Sequence, residues 1–266
     1  MHIRWSAIIC LWRDDMKVVA IIPARYKSSR FEGKPLADIK GKPMIWWVYN
    51  QAQKVKEISD VYVATDDQRI YDVCKKYKMN VCMTSEDNLT GTDRVAEVAE
   101  KIEADIYVNI QGDEPLIEPN IIKEAITPLL VNPSIGVTNL MSEITCTVDI
   151  VNTTIPKVVT NEDNYGLFLS RAAMPYPKGS LEVSYYKQIC VYGYRPDELR
   201  FFRKYGLKHG KAKIEKIEDI ELMRFIECSH PVKFIEVSSK SVAVDTPKDL
   251  KRVIDVLEEM QQNEAN

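Results

Sequence analysis

Residues 18–36 read VVAIIPARYKSSRFEGKPL, and the two halves of this stretch decide the fold. Val18, Val19, Ala20, Ile21 and Ile22 form a short apolar run dominated by β-branched residues and stopped by Pro23, the pattern of a buried strand. From Arg25 onward the chain carries Arg25, Lys27, Arg30 and Lys34 within ten positions. A basic loop directly after the first strand of an α/β chain stands at the carboxyl edge of the sheet, where such folds bind ligands. Four cations there point to a polyanion such as a triphosphate. The loop contains neither GxGxxG nor GxxxxGKS/T, which disfavours a dinucleotide fingerprint and a P-loop. Phosphates would be held by side-chain cations, an arrangement that points away from dehydrogenases and ATPases.

Outward from this stretch the chain alternates between two periodicities. Residues 42–56 are predicted as a helix, with Pro43 in its first turn and Ile45, Val48, Tyr49 and Ala52 on one face. Strands at 60–65, 80–83 and 105–110 then alternate with helices at 66–77, 90–103 and 119–130. Such repeats predict an α/β fold, a mostly parallel central sheet with helices on both faces. After about Asn132 the pattern changes. Residues 134–141, 155–160, 165–170 and 186–194 read as strands, with Asn161–Asn164 (NEDN) turning the chain between the middle pair. Helices resume at 196–205, 219–227 and 247–260, and 232–237 is a closing strand. The simplest organisation is a single domain over 16–266, with a β-rich insertion at about 145–195 and an N-terminal extension at 1–15.

The composition narrows the class. With 266 residues, 45% hydrophobic and 28% charged, the chain can build the core of one large α/β domain and stay in solution. A net charge of −3 argues against a broad nucleic-acid-binding face. Six cysteines without CxxC spacing read as reduced core thiols of a cytosolic protein, and three histidines leave little for a His-rich metal site. Residues 1–12 (MHIRWSAIICLW) are too short to span a bilayer and lack a small-residue cleavage site. Met16 directly precedes the first strand, so 1–15 reads as an extension without a catalytic role; the sharper alternative is a short peripheral anchor or an arm over an interface.

Three further segments carry candidate chemistry. Gln111-Gly112-Asp113-Glu114-Pro115 follows the strand that ends at Ile110, and an aspartate there suits Mg²⁺, which takes one or two carboxylates together with phosphate oxygens and water. An Asp–Gly turn with a solvated carboxylate would explain the same residues. In Ser241–Leu250 (SVAVDTPKDL), a short strand at 242–244 leads to Asp245 or Thr246 as helix cap and Pro247 in the first position. Capping alone accounts for Asp245. The pair is more telling, because Asp113 and Asp245 each end a strand, the placement that two carboxylates sharing one magnesium require. Thr90-Gly91-Thr92-Asp93-Arg94 opens a helix whose free N–H groups suit an anion or a base edge; the competing reading is a simple cap with Arg94 paired at the surface. Arg171 is a lone cation able to clamp a carboxylate, with a surface ion pair as the default.

Taken in order, PARYKSSRFEGKPL, ATDD, TGTDR, NIQGDEP and VDTPKDL resemble the motifs of the 3-deoxy-manno-octulosonate (Kdo) cytidylyltransferases, over roughly residues 17–257. Each motif is weak alone; five in order are specific. The resemblance implies a Rossmann-like nucleotidyltransferase fold and a homodimer built through the β-rich insertion. It implies an enzyme of the cytoplasm that uses CTP and Mg²⁺ to activate an acidic sugar for lipopolysaccharide, releasing pyrophosphate, with no nucleic-acid partner and no membrane span. Carried over by position, Arg25, Lys34 and Asp113 are catalytic, and Asp113 and Asp245 hold the metal. Ala24, Arg25, Ser28, Lys34, Thr90, Gly91, Asp93 and Gln111 lie along the nucleotide. Gln111, Arg171, Gln188, Tyr192 and Glu221 face the sugar acid, with Arg171 on its carboxylate. A sugar hydroxyl would attack the α-phosphorus in line, and no dedicated general base is evident.

Departures from the family pattern fall on the acceptor side. Gln188 stands where the family usually has His, Leu222 where it usually has Gln, and Asn88 where a His is usual. The acceptor is therefore Kdo or a closely related acid, the alternatives being an amino-substituted Kdo, another ulosonate or a phosphonate. A CTP-binding paralogue without turnover is a rival of a different class, opposed by retention of both Asp113 and Asp245. A retaining sugar transferase would be expected to carry a DxD-like motif, which Asp113-Glu114-Pro115 does not match.

Overall fold

A computed structural model describes residues 16–27, 31–179, 182–239 and 243–264. The extension at 1–15, together with Ser28, Arg30 and Val242, lies outside the described residues.

Eleven strands are present among the described residues: β1 Val18–Ala24, β2 Asp38–Ile39, β3 Lys42–Pro43, β4 Asp60–Thr65, β5 Val81–Met83, β6 Ile106–Ile110, β7 Val137–Glu143, β8 Lys157–Thr160, β9 Gly166–Ser170, β10 Tyr186–Tyr194 and β11 Val232–Glu236. The central sheet has the order β11-β7-β10-β6-β1-β4-β5. β1 pairs in parallel with both β4 and β6, β4 with β5, and β7 with β11; along this order only β10 runs against its neighbours β6 and β7, and off it β8 pairs antiparallel with β10 and with β9. The sheet is thus mostly parallel, as the strand–helix alternation requires.

β1 lies inside the sheet and all seven of its residues are buried. Its side chains alternate between faces: Val18, Ala20 and Ile22 join one core and Val19 and Ile21 the other. The first core is closed by helices Met44–Gln53 and Pro119–Val131, the second by helices Gly91–Ala99, Pro196–His209 and Met223–Glu227. A third, smaller cluster joins Ile39 and Met44 to Val244, Val253 and Leu257, so the C-terminal helix Pro247–Glu264 is packed onto the segment that follows the basic loop.

Several elements differ from their predicted bounds for physical reasons. The helix expected at 42–56 begins at Met44, because Lys42–Pro43 pairs with Asp38–Ile39 around Lys40 and Gly41, whose φ values of 53° and 80° make a tight hairpin turn. The helix expected at 219–227 is two helices, Lys213–Glu218 and Met223–Glu227, separated at Asp219, which adopts the left-handed conformation (φ 52°, ψ 49°). Within 145–195, β8 and β9 form the hairpin that NEDN turns, and a short helix Thr147–Val151 precedes it; β10 returns the chain into the central sheet. The five described cysteines are all free, but only Cys74 is fully buried and Cys146 is exposed, so the reading of core thiols holds for one of them. No helix among the described residues is long and apolar enough to cross a membrane.

Candidate active site

The carboxyl ends of β1, β4, β5 and β6 deliver Arg25, Asp66, Thr84 and Gln111 to one edge of the sheet. Arg25, the first residue after β1, is exposed, and its Nη2 donates to the Asn88 carbonyl at 2.7 Å. Ala24 closes β1 and is buried. Lys34 opens a single 3₁₀ turn, Lys34–Leu36, capped by Gly33 at φ 69°, a conformation that favours glycine. The Gly33 N–H donates to the Tyr26 carbonyl at 2.8 Å and so closes the basic loop on itself.

Lys34 joins three distant segments. Its Nζ stands 3.2 Å from Asp113 Oδ2 and 3.7 Å from Asp245 Oδ1, and donates to the Val244 carbonyl at 2.9 Å. The Val244 N–H in turn donates to the Asp113 carbonyl at 2.8 Å. The two carboxylates therefore converge on one cation, although the strand expected at 242–244 is not present: Ala243 and Val244 belong to no strand, and Val242 is outside the described residues. Asp113 Oδ1 is buried without a hydrogen-bond partner. The oxygen donors and this orphaned atom fit a hard divalent cation. Among the described residues no group of three or more His, Cys, Asp or Glu could hold a metal, which suits an ion completed by phosphate and water. Beside the pair, Thr246 caps the C-terminal helix: its Oγ1 accepts from the Asp249 N–H at 3.4 Å, and its own N–H donates back to Asp249 Oδ2 at 2.8 Å. Capping thus falls to Thr246 and leaves the Asp245 carboxylate to face Lys34.

The helix start at Thr90–Gly91 differs from expectation. The anion on its free N–H groups is the chain's own Glu221, whose carboxylate accepts from Gly91 N at 2.9 Å, Thr92 N at 2.8 Å and Thr92 Oγ1 at 2.5 Å. Burial pushes the Glu221 carboxyl above the usual carboxylate range, against the lowering effect of these hydrogen bonds. Gly91 is needed for close approach: a Cβ there would stand 3.1 Å from Gln111 Nε2 and 3.3 Å from Glu221 Oε1. Gly91, Gln111 and Glu221 are thus brought together.

Asp93 is turned away from this surface. Its carboxylate pairs with Arg224 through Nη1–Oδ1 at 2.7 Å and Nη2–Oδ2 at 3.1 Å, and accepts from Thr90 Oγ1 at 2.7 Å. Asp93 is 4% exposed and, through this pair, holds the helix in place. Arg171 is likewise committed. Its guanidinium donates to the carbonyls of Glu218 (2.6 Å), Asp219 (3.1 Å) and Thr153 (3.1 Å), tying the β-rich segment to the end of helix Lys213–Glu218. All three of its side-chain nitrogens are used on backbone, so in this structure Arg171 does not offer a carboxylate clamp.

On β10, Gln188 Nε2 donates to Asn139 Oδ1 at 3.2 Å, and Asn139 Nδ2 donates to the carbonyls of Ile189 and Val191, on the irregular stretch where the β10–β7 register shifts. Tyr192 is buried and stacks on Tyr194; burial raises its phenol well above the ordinary value, with Cys190 and Glu221 adding to the effect. Leu222 is 1% exposed and packs in the core, so its departure from the family pattern does not reach the site surface. Asn88 is buried between Glu97, to which its Nδ2 donates at 2.7 Å, and Arg203, which donates to its Oδ1 at 3.2 Å.

Sequence reasoning missed the buried charged pairs that hold helix Gly91–Ala99, Arg224 with Asp93 and Glu215 among them. Arg94 is fully buried, pairs with Asp66 Oδ2 at 2.8 Å and donates to Thr84 Oγ1, locking helix Gly91–Ala99 to the ends of β4 and β5. The expectation of a surface pair for Arg94 is thereby overturned. The one available signal was its place inside a helical run beside Val95 and Val98.

A basic loop facing two convergent carboxylates across the carboxyl edge of a mostly parallel sheet defines a nucleotidyltransferase. A family model described as cytidylyltransferase matches residues 19–234, and the chain belongs to that family. It is 42% identical over 253 residues to a 3-deoxy-manno-octulosonate cytidylyltransferase of Geobacter sulfurreducens, covering 91% of this chain and 100% of the relative. The corresponding protein of Fusobacterium nucleatum is 39% identical over 245 residues, covering 92% of this chain and 98% of the relative. The solved structure of a CMP:2-keto-3-deoxy-manno-octonic acid synthetase complexed with CTP superposes with a TM-score of 0.85 at 36% identity, covering 92% of this chain and 99% of that one. A 4-diphosphocytidyl-2C-methyl-D-erythritol synthase from Anaerococcus prevotii, at TM-score 0.62 and 15% identity, shares the fold.

Proposed function

We propose that this cytidylyltransferase transfers CMP from CTP to the anomeric hydroxyl of Kdo or a closely related ulosonic acid, with Mg²⁺, and releases pyrophosphate. The observation that carries the reading is the convergence of Lys34, Asp113 and Asp245 at the sheet edge that also carries the exposed Arg25. Arg25 would take the triphosphate, and Lys34 would meet the charge that builds on the α-phosphate as the new bond forms. Asp113 and Asp245 would hold Mg²⁺, which supplies charge neutralisation and acidifies a bound hydroxyl. Gln111 and Glu221, gathered around Gly91, would orient the acceptor hydroxyls. No side chain is required as general base, because in-line phosphoryl transfer rests on positioning and electrostatics.

Gln188 favours keeping a second acceptor in view, since one N–H of its amide is tied to Asn139, leaving its other N–H and its carbonyl for a substrate. An amino-substituted Kdo, another ulosonate or a phosphonate are the candidates. A CTP-binding protein without turnover is less favoured, because a binder has little need of both carboxylates and Lys34. We further propose one domain over 16–266 preceded by an extension, a cytoplasmic location in keeping with five free cysteines, and a homodimer. The exposed apolar residues Val148, Val151, Leu167 and Tyr176 all lie on the β-rich segment, where a partner copy would cover them. Pyrophosphate release should require CTP, Mg²⁺ and a ulosonic acid together and stop with EDTA. Absence of turnover across a panel of such acids would remove the reading.

A further inference from the structure

In the structure the Lys34 ammonium is shared among Asp113 Oδ2 at 3.2 Å, Asp245 Oδ1 at 3.7 Å and the Val244 carbonyl at 2.9 Å. The Lys34 side chain is 17% exposed and that of Asp113 25%, so this is a half-enclosed ion pair in which solvent screens incompletely. A divalent ion bound to these carboxylates would sit about 2.0–2.1 Å from their oxygens. An ion held by both carboxylates would have to share them with the lysine ammonium, and the two cations would repel. The same lysine cannot serve a metal-loaded pair and remain where it is.

We propose that Lys34 is a resident counter-ion of the Asp113–Asp245 pair, released when a nucleotide phosphate draws its ammonium away, so that divalent metal enters with the nucleotide and not before it. The inference rests on the magnesium-dependent reading given above and adds an order of assembly to it. Lysine suits the exchange: its charge is compact and sits on a flexible four-carbon stem. The short 3₁₀ turn fixes the Lys34 backbone, so the exchange needs only rotation about side-chain bonds. Asp113 Oδ1 gives the exchange its direction, because the lysine leaves this buried oxygen unpaired, whereas a divalent ion offers the carboxylate a stronger partner. Free enzyme thus avoids two uncompensated carboxylates, and nucleotide-free enzyme has little affinity for metal. Coupling is reciprocal, so metal must tighten CTP by the factor by which CTP tightens metal.

A purely structural salt bridge makes the opposite prediction, since deleting its cation would loosen the site and weaken metal binding. Binding of Mn²⁺ to the full chain, followed by electron paramagnetic resonance, separates the two, with a protein-free Mn²⁺–CTP titration as the correction. Lys34→Met should bind Mn²⁺ without nucleotide about tenfold or more tighter than the parent, within the usual range of two-site coupling. Adding Asp113→Asn to that variant should abolish the gain. CTP should increase Mn²⁺ affinity by a larger factor in the parent than in Lys34→Met, where only the added phosphate ligands contribute, with Lys34→Gln as a second variant if the methionine form does not fold. Equal or weaker Mn²⁺ binding by the lysine variants, or a parent that binds Mn²⁺ equally with and without CTP, overturns the exchange alone. Failure of the parent to take up Mn²⁺ even with CTP overturns the metal reading as well.

Discussion

At Asp113 two oxygens of one carboxylate have different fates: Oδ2 meets Lys34 at 3.2 Å, while Oδ1 is buried without a partner. A buried acceptor left unpaired is costly, and a fold retains it where a ligand completes it. Asp113→Asn keeps the shape and removes the charge. It should lower kcat by about 10²–10³-fold, the range for losing one preorganised electrostatic contact, with circular dichroism and melting close to the parent. Near-normal magnesium-dependent turnover would take Asp113 out of the metal site. Gln188 bears on the acceptor instead. Replacing it by His removes the bond to Asn139 and puts an imidazole on β10. The kcat/KM ratio between Kdo and other ulosonates should move by about tenfold or more in pyrophosphate assays, as expected when a buried polar match is gained or lost. An unchanged ratio would place specificity elsewhere.

Helix Gly91–Ala99 is the element on which the site turns, and its polar attachments are buried. Arg224 bridges Asp93 and Glu215, at 2.7 Å in each case, with all three side chains at most 6% exposed. Arg224→Met would leave two buried carboxylates uncompensated. Its cost should be about 3–5 kcal/mol in urea unfolding; a loss below 1 kcal/mol would mean the network relaxes around the gap. Glu97, on the same helix, has its carboxyl held down at about 2 from an ordinary 4.5: burial raises it, but bonds from Lys101, Asn88 and the Ser85 N–H outweigh that. Because the folded value is depressed, the stabilisation is present above about 4.5 and is lost as pH falls toward 2. Glu97→Gln should therefore flatten the acid limb of a melting-temperature profile between these values. The helix also marks how far the sequence could be read. Its existence was legible from periodicity, as were β1, the parallel alternation and the NEDN hairpin, because local patterns encode them. The Glu221 carboxylate that caps Gly91 comes from 130 residues away, and the buried Arg94–Asp66 pair spans 28. Polar partners at such separations leave no local mark, and the bonds from Arg171 to the carbonyls of Glu218 and Asp219 are a further case.

Across the whole molecule the candidate site joins residues that lie far apart in the chain. Lys34 and Val244, linked by one hydrogen bond, are 210 positions apart, and the Ile39–Met44–Val244–Val253–Leu257 cluster holds the C-terminal helix against the segment after the basic loop. The two convergent carboxylates are therefore only as well placed as this small cluster is packed. Ligand that bridges Lys34, Asp113 and Asp245 should stabilise the fold globally, since it binds only when both ends of the chain are docked. CTP with Mg²⁺ at 100 times its dissociation constant contributes about 2.7 kcal/mol, and for a chain of this size that is on the order of 5–10 °C in Tm. Leu257→Ala, far from the phosphates, opens a cavity in the cluster and should cost about 2–3 kcal/mol by itself. It should also raise the CTP concentration needed for half-maximal thermal shift, by loosening the segment that carries Asp245. Thermal-shift titrations of the parent and variant compare the two quantities directly. A variant that melts earlier but takes up CTP as tightly as the parent would show that Asp245 is held by the Thr246–Asp249 cap and the Val244–Asp113 backbone bond without help from the helix behind it.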